Sequence, residues 1–122
     1  MSSAGEYLGG IITPGAEISI EALYDRAAKL PKVELAEPRS LIGKSTVDAI
    51  RSGIVFGFAG QVEGIVRRLR DELGDDITVI ATGGLARALV PHVRETIDEV
   101  DDFLTLTGLR LIWERNNAGA SC

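Results

Sequence analysis

The 122-residue sequence has a single histidine, His92, and a single cysteine, Cys122, which is also its last residue. Zinc and thiol chemistry draw on several such ligands, so neither a zinc centre nor a catalytic triad is expected. No intrachain disulfide can form, which leaves the redox compartment open and favours a cytosolic setting. Basic charge is scarce as well: 13 Lys and Arg stand against 18 Asp and Glu, a net charge of −5, with no basic run. That balance favours solubility and argues against a surface built to neutralise nucleic-acid phosphates. Long apolar runs are missing too. The most apolar stretch, Ile54-Val-Phe-Gly-Phe-Ala-Gly60, is far short of a membrane span, and MSSAGEYLGG lacks the basic and apolar regions of a secretion signal. With no tandem repeat or low-complexity tract, the expectation is a cytoplasmic globular protein with neither a membrane nor a nucleic-acid partner.

What is present suffices for one domain with a single core, at 45% apolar and 25% charged residues. Gly9 to Gly15 reads as a short β segment closing in a Pro-Gly turn, with Pro14 setting φ and Gly15 free to take a positive one. Ile20, Leu23, Tyr24, Ala27 and Leu30 recur at helical spacing from Ser19, and Pro31 stops that helix. Lys32 to Ala36 alternates as a short strand does, and Pro38 and Ser40 open a loop toward Ile42 to Thr46. Val47, Ile50, Ile54, Phe58, Val62, Ile65, Val66, Leu69 and Leu73 then mark one long helix, or two with a joint. It runs from a cap at Ser45 or Thr46 to a stop at Gly74. Gly53, Gly57, Gly60 and Gly64 share one face of it at about 1 kcal/mol of propensity each. The expectation is a groove where another element packs closely, within the chain or across a dimer.

Ile77 to Ala81 reads as a buried strand, followed by Thr82-Gly83-Gly84 and a helix from about Leu85 to Val93. The acidic run Asp98 to Asp102 lacks the spacing of a calcium loop and suits the solvated approach to a helix N-terminus. The apolar pattern from Phe103 to Trp113 is that final helix, and residues 117–122 read as a loose tail. His92 is expected on a helix surface.

Two constellations could carry chemistry. Gly43-Lys44-Ser45-Thr46 ends as a P-loop does, but position 38, where that pattern needs glycine, is Pro38. A helix start there could bind an anionic or polar ligand; spacing alone favours a plain cap. Thr82-Gly83-Gly84 would let a nucleotide approach the backbone, although a strand-to-helix Gly-Gly turn is often only tight packing.

Five segments occur in a telling order: GGIITPG at 9–15, LPKVEL at 30–35, PRSLIGKSTVDAIRSGIVFG at 38–57, VIATGGLA at 79–86 and LTLTGLRLIWERN at 104–116. Together, over nearly the whole chain, they resemble the C-terminal half of type III pantothenate kinases. The resemblance implies an α/β architecture, one lobe of the acetate-and-sugar-kinase/actin-like (ribonuclease H-like) fold, with residues 1–122 as the C-terminal lobe. It implies a parent activity, ATP-dependent phosphorylation of pantothenate in the first step of coenzyme A synthesis, and a homodimer. Thr46 matches the family's threonine that reaches pantothenate from across the dimer, and Thr82, Gly83 and Gly84 match the turn beside adenosine. The glycines of GGIITPG, at the entry into the lobe, take a structural role.

The family's phosphate-gripping Asp-x-Gly-Asn turn, its Gly-x-Asp-Arg general base and its Asp-x-Gly-Thr cation turn do not occur in this sequence. The expectation is therefore no catalytic residue in this chain. Ligands for Mg²⁺ and for the monovalent cation, K⁺ or NH₄⁺, belong to an N-terminal catalytic lobe outside it, and the chain alone should be inactive. Two other readings stay open: a dimeric binding or regulatory module that kept this lobe, and a different enzyme assembled with a separately encoded N-terminal chain.

Overall fold

The computed structural model describes residues 1–27 and 29–117. In chain order the elements are helix α1 (Ala16–Arg26), helix α2 (Thr46–Leu73), strand β1 (Ile80–Ala81), a short helix α3 (Ala86–Leu89) and a 3₁₀ turn (Val90–His92). Strand β2 (Glu99–Val100) and helix α4 (Leu104–Asn117) complete the order. Of the expected tail, Asn117 closes α4, and 118–122, with Cys122, lie outside the described residues.

Helix α2 is the spine. Its 28 residues run without a joint, a rod of about 42 Å at 1.5 Å per residue. Local chemistry sets both ends. Ser45 is extended at φ −129°, its Oγ accepts from the Asp48 amide at 3.1 Å, and its hydroxyl donates to Asp48 Oδ2 at 2.8 Å, a side-chain N-cap that satisfies one of the helix's free amides. At the other end the Gly74 amide donates to the Arg70 carbonyl at 2.9 Å, with Gly74 at φ +97°. Ser45→Ala should lower stability by about 1 kcal/mol, read as a shift in the urea midpoint at unchanged slope; an unmoved midpoint would show that the cap contributes nothing.

The buried positions of α2, among them Val55, Ala59 and Val66, lie on the side opposite the four glycines. Burial on that side, roughly 1.5–3 kcal/mol for each large aliphatic side chain, offsets the glycines' propensity cost. The glycine face itself is open. A Cβ built on Gly53, Gly57 or Gly60 meets nothing within 4 Å, and one on Gly64 meets only Arg68. Among the described residues no other element of this chain fills that face, although Gly53 edges the groove toward α1.

Several expected elements differ because non-local partners decide them. Gly9 to Gly15 forms no strand, and Ile12 is 98% exposed. Gly15 sits at φ −80° as the residue before α1 rather than in a positive-φ turn, so α1 starts at Ala16, earlier than expected. It also ends earlier, at Arg26, and Lys29 at φ +78° lies in the left-handed region that no helix continues through. Lys32 to Ala36 alternates as expected, with Val33 buried and Leu35 against the core, but it has no ladder partner among the described residues. Its period of two reports burial, not pairing.

Strand β1 is two residues rather than Ile77 to Ala81, and Ile80 is exposed rather than buried. It pairs in parallel with β2, Ile80 opposite Glu99 and Ala81 opposite Val100. Thus part of the acidic run forms a strand where a helix approach was expected. Asp98 helps to hold the register: its carboxylate accepts from the Val79 amide at 2.7 Å while its own amide donates to the Val79 carbonyl at 2.9 Å. The expected helix from Leu85 to Val93 divides into α3 and the 3₁₀ turn, with Pro91 in the turn.

The core is small: Ala16 and Ile20 of α1 against Ile54 of α2, with Leu35, Ile50, Phe58 and Leu85 around them. His92 is not a surface residue. Its side chain is 14% exposed, its Nε2 lies 3.1 Å from Glu37 Oε1, and its ring meets Phe56 edge-on at 5.2 Å. No described helix is long and apolar enough to cross a membrane.

Candidate ligand surfaces at the start of α2 and the end of β1

The first surface is assembled by the loop ahead of α2. Ser52, buried on α2, donates to the Leu41 carbonyl, and Ser40 Oγ donates to the Ile42 carbonyl at 2.8 Å. These bonds press Gly43 onto the first turn of α2. A Cβ there would stand 2.2 Å from the Ala49 amide nitrogen and 2.5 Å from Ala49 Cα, so only glycine fits. The pinned loop delivers Ser45 to the cap and leaves Thr46, the first helical residue, exposed. Thr46 rims an apolar groove between α1 and α2 that includes Leu23, Ala49, Ile50, Gly53 and Ile54. Its hydroxyl is the polar point of an otherwise apolar rim, which can orient a ligand that is apolar on one side and hydrogen-bonding at the other.

The second surface lies at the carboxyl end of β1. Thr82, Gly83 and Gly84 are exposed. Gly83 has φ +91°, in the region that side chains avoid, and its carbonyl accepts from the Ala86 amide at 3.1 Å. β2 is parallel, so Asp101 and Asp102 emerge at the same end, and the Asp101 amide donates to the Ala81 carbonyl at 2.9 Å. Arg87 donates to the Asp102 carboxylate. That hydrogen bond first, and the carboxylate's charge second, hold the Arg87 guanidinium above its ordinary pKa. The pair ties the helix after the glycine turn to the strand beside it.

The two surfaces are separate. The groove that Thr46 rims includes none of Thr82, Gly83 and Gly84. They meet only through the core: Ile54 lines the groove, and Leu85, next after Gly84, packs on the same cluster. Sequence reasoning named Thr46 and the glycine turn but missed Gly43 as a required close approach, Ser52 as the loop's anchor and the Arg87–Asp102 pair. A serine on the buried side of a helix was the available signal for Ser52. Nothing local marks the other two.

Among the described residues no group of three or more His, Cys, Asp or Glu side chains could hold a metal ion. The described residues thus offer no all-protein carboxylate cage for a divalent cation, and no chemistry is derived through a metal.

Comparison with known proteins places the chain, though not the role of either surface, in a family. A family model for type III pantothenate kinase matches residues 1–68. The chain is 62% identical over 110 residues to the type III pantothenate kinase of Exiguobacterium sp., covering 90% of this chain and 42% of that protein. It is 57% identical over 116 residues to that of Frankia alni, covering 95% and 46%, and 59% identical over 119 residues to that of Streptomyces griseus, covering 95% and 44%. The chain thus spans less than half the length of these curated relatives and aligns with their C-terminal part. With more than half of its residues inside the family model, and ordered identity along nearly all of its length, the chain belongs to the type III pantothenate kinase family.

Proposed function

We propose that this chain supplies the C-terminal lobe of an enzyme that phosphorylates pantothenate with ATP, the first step of coenzyme A synthesis. The observation that carries the reading is the match of nearly the whole chain to the C-terminal part of pantothenate kinases. In this reading the lobe is of the acetate-and-sugar-kinase, actin-like type, which the parallel β1–β2 pair with its intervening helix supports. Thr82, Gly83 and Gly84 line the adenosine end, and Thr46 reaches pantothenate across a cytoplasmic homodimer. The open glycine face of α2 supports a dimer, since glycine lets a second backbone approach. Mg²⁺, the monovalent cation and the general base belong to the N-terminal lobe.

The test is a fusion of the N-terminal portion of the Exiguobacterium relative, up to the matched stretch, with this chain. The fusion should consume ATP only when pantothenate is present. A folded fusion that hydrolyses ATP regardless of pantothenate, or not at all, overturns the reading.

Within that fusion Thr46→Val, which keeps the shape and removes the hydroxyl, should raise the pantothenate KM and leave the KM for ATP nearly unchanged. One lost hydrogen bond corresponds to about 0.5–1.5 kcal/mol, roughly 2- to 13-fold in KM. Thr46 is exposed and the cap belongs to Ser45, so stability should hold. A lower Tm with unaltered pantothenate kinetics would make Thr46 a structural residue and remove it from the substrate site.

A further inference from the structure

Helix α4 buries none of its residues. At 100° per residue, Leu106, Leu109, Ile112 and Trp113 share one side, while Leu104 and Leu111 lie on the other, with Arg115 beside them at its C-terminal end. Each of the six is at least 40% exposed, and Trp113 is 66% exposed. Between the two sides runs a narrow polar strip in which Arg110 donates to Glu114 at 2.9 Å. The root of the helix is anchored: the Phe103 amide donates to Asp101 Oδ1 at 2.8 Å, and the Asp101 amide donates to the Ala81 carbonyl beside it. A helix apolar on two sides is built to lie between two walls inside a larger protein.

We propose that α4 is the docking element for the N-terminal portion that the family's longer members carry ahead of the stretch matched here, which encloses both apolar sides. Two observations favour this occupant over a second copy of the chain. The portion outside the match is more than half of each relative, a body larger than the one to which α4 is attached and able to supply two walls. A second copy docked about a two-fold axis would present α4 with one self-complementary surface, leaving the other apolar side in water. The inference rests on family membership and adds to the catalytic reading an interface that reading does not specify.

Amide hydrogen exchange over residues 104–117, followed by mass spectrometry, tests it in two proteins: the 122-residue chain and the fusion described above. In the dilute fusion these amides should exchange on the order of 100-fold more slowly than in the chain alone, because opening α4 then requires undocking. Leu109→Lys should return them most of the way to the rate of the chain alone, without altering exchange in α2. Equal exchange in the two proteins overturns the proposal, as does a fusion whose two portions melt independently. Slowing of equal size in the 122-residue chain alone, growing with its concentration, also overturns it and makes a second copy the occupant. Pantothenate-dependent ATP consumption by the same fusion reports separately on the catalytic reading. Slowed exchange without activity counts against that reading alone, and activity without slowed exchange counts against this inference alone.

Discussion

Purified as the 122-residue chain and supplied with ATP, pantothenate, Mg²⁺ and K⁺, this protein should show no pantothenate-dependent ATP consumption. Phosphoryl transfer depends on positioned metal ions, on groups that hold the phosphates and on an oriented attacking hydroxyl. The chain offers two separate candidate surfaces instead, Thr46 on the rim of the α1–α2 groove and the exposed turn at Thr82 to Gly84. In the proposed reading these grip the pantothenate and adenosine ends of the substrates, whereas the transferred phosphoryl group lies between them. Contacts at the ends alone can bind, but they do not lower the barrier for the transfer itself. The comparison with the fusion should therefore be between no turnover and turnover, an all-or-none difference in a coupled ADP assay. Turnover by a homogeneous preparation of the chain would show that these residues hold the reacting groups after all.

Gly43→Ala should be the most damaging small substitution in the chain. The added methyl would stand 2.2 and 2.5 Å from backbone atoms of Ala49 and 2.5 Å from the Asp48 carbonyl carbon. Backbone in the first turn of α2 cannot rotate aside as a side chain can, so the loop must lift away. Lifting it strains the bond from Ser52 to the Leu41 carbonyl and the approach to the Ser45 cap. Overpacking of this kind costs about 1–3 kcal/mol, or on the order of 4–12 °C in Tm for a chain of this size. Gly53→Ala is the internal control with the opposite sign. Its added methyl meets nothing within 4 Å in the middle of a helix, so at concentrations where the chain is monomeric it should stabilise by about 0.5–1 kcal/mol. Thermal melts of the two variants check both, and an unchanged Tm for Gly43→Ala would show that the loop is not held against the helix.

The contrast between these two glycines shows where the sequence is legible. Gly53 and Gly43 are the same letter, and the regular interval of four, three and four marks the helix set alone. The interval identifies a shared helix face, which is correct, yet the structure leaves that face open within the chain while the isolated Gly43 makes the tight contact. His92 is a parallel case. The sequence alone puts it on the surface because nothing within a turn of it signals burial, and the partners that cover it, Glu37 and Phe56, are 55 and 36 positions away in the chain.

The sequence by itself determined the span of α2 to within a residue at its start, its stop at Gly74 and the family to which the chain belongs, while the structure decided that it has no joint and that Ser45 is the cap. A cap is a contact between residues three or four apart, so both ends of α2 are set locally, by Ser45 with Asp48 and by Arg70 with Gly74. Family membership is carried by the order of five segments, which needs no coordinates. Tertiary structure alone decided that part of the acidic run pairs as β2, that Lys32 to Ala36 finds no ladder partner among the described residues, and that Arg87 meets Asp102 beside the glycine turn. A strand needs a neighbour to satisfy its backbone groups, and whether one is present depends on residues far away in the chain. The same reason accounts for α4: its apolar pattern predicts a helix from the sequence, but only the folded chain reveals that nothing among the described residues covers it.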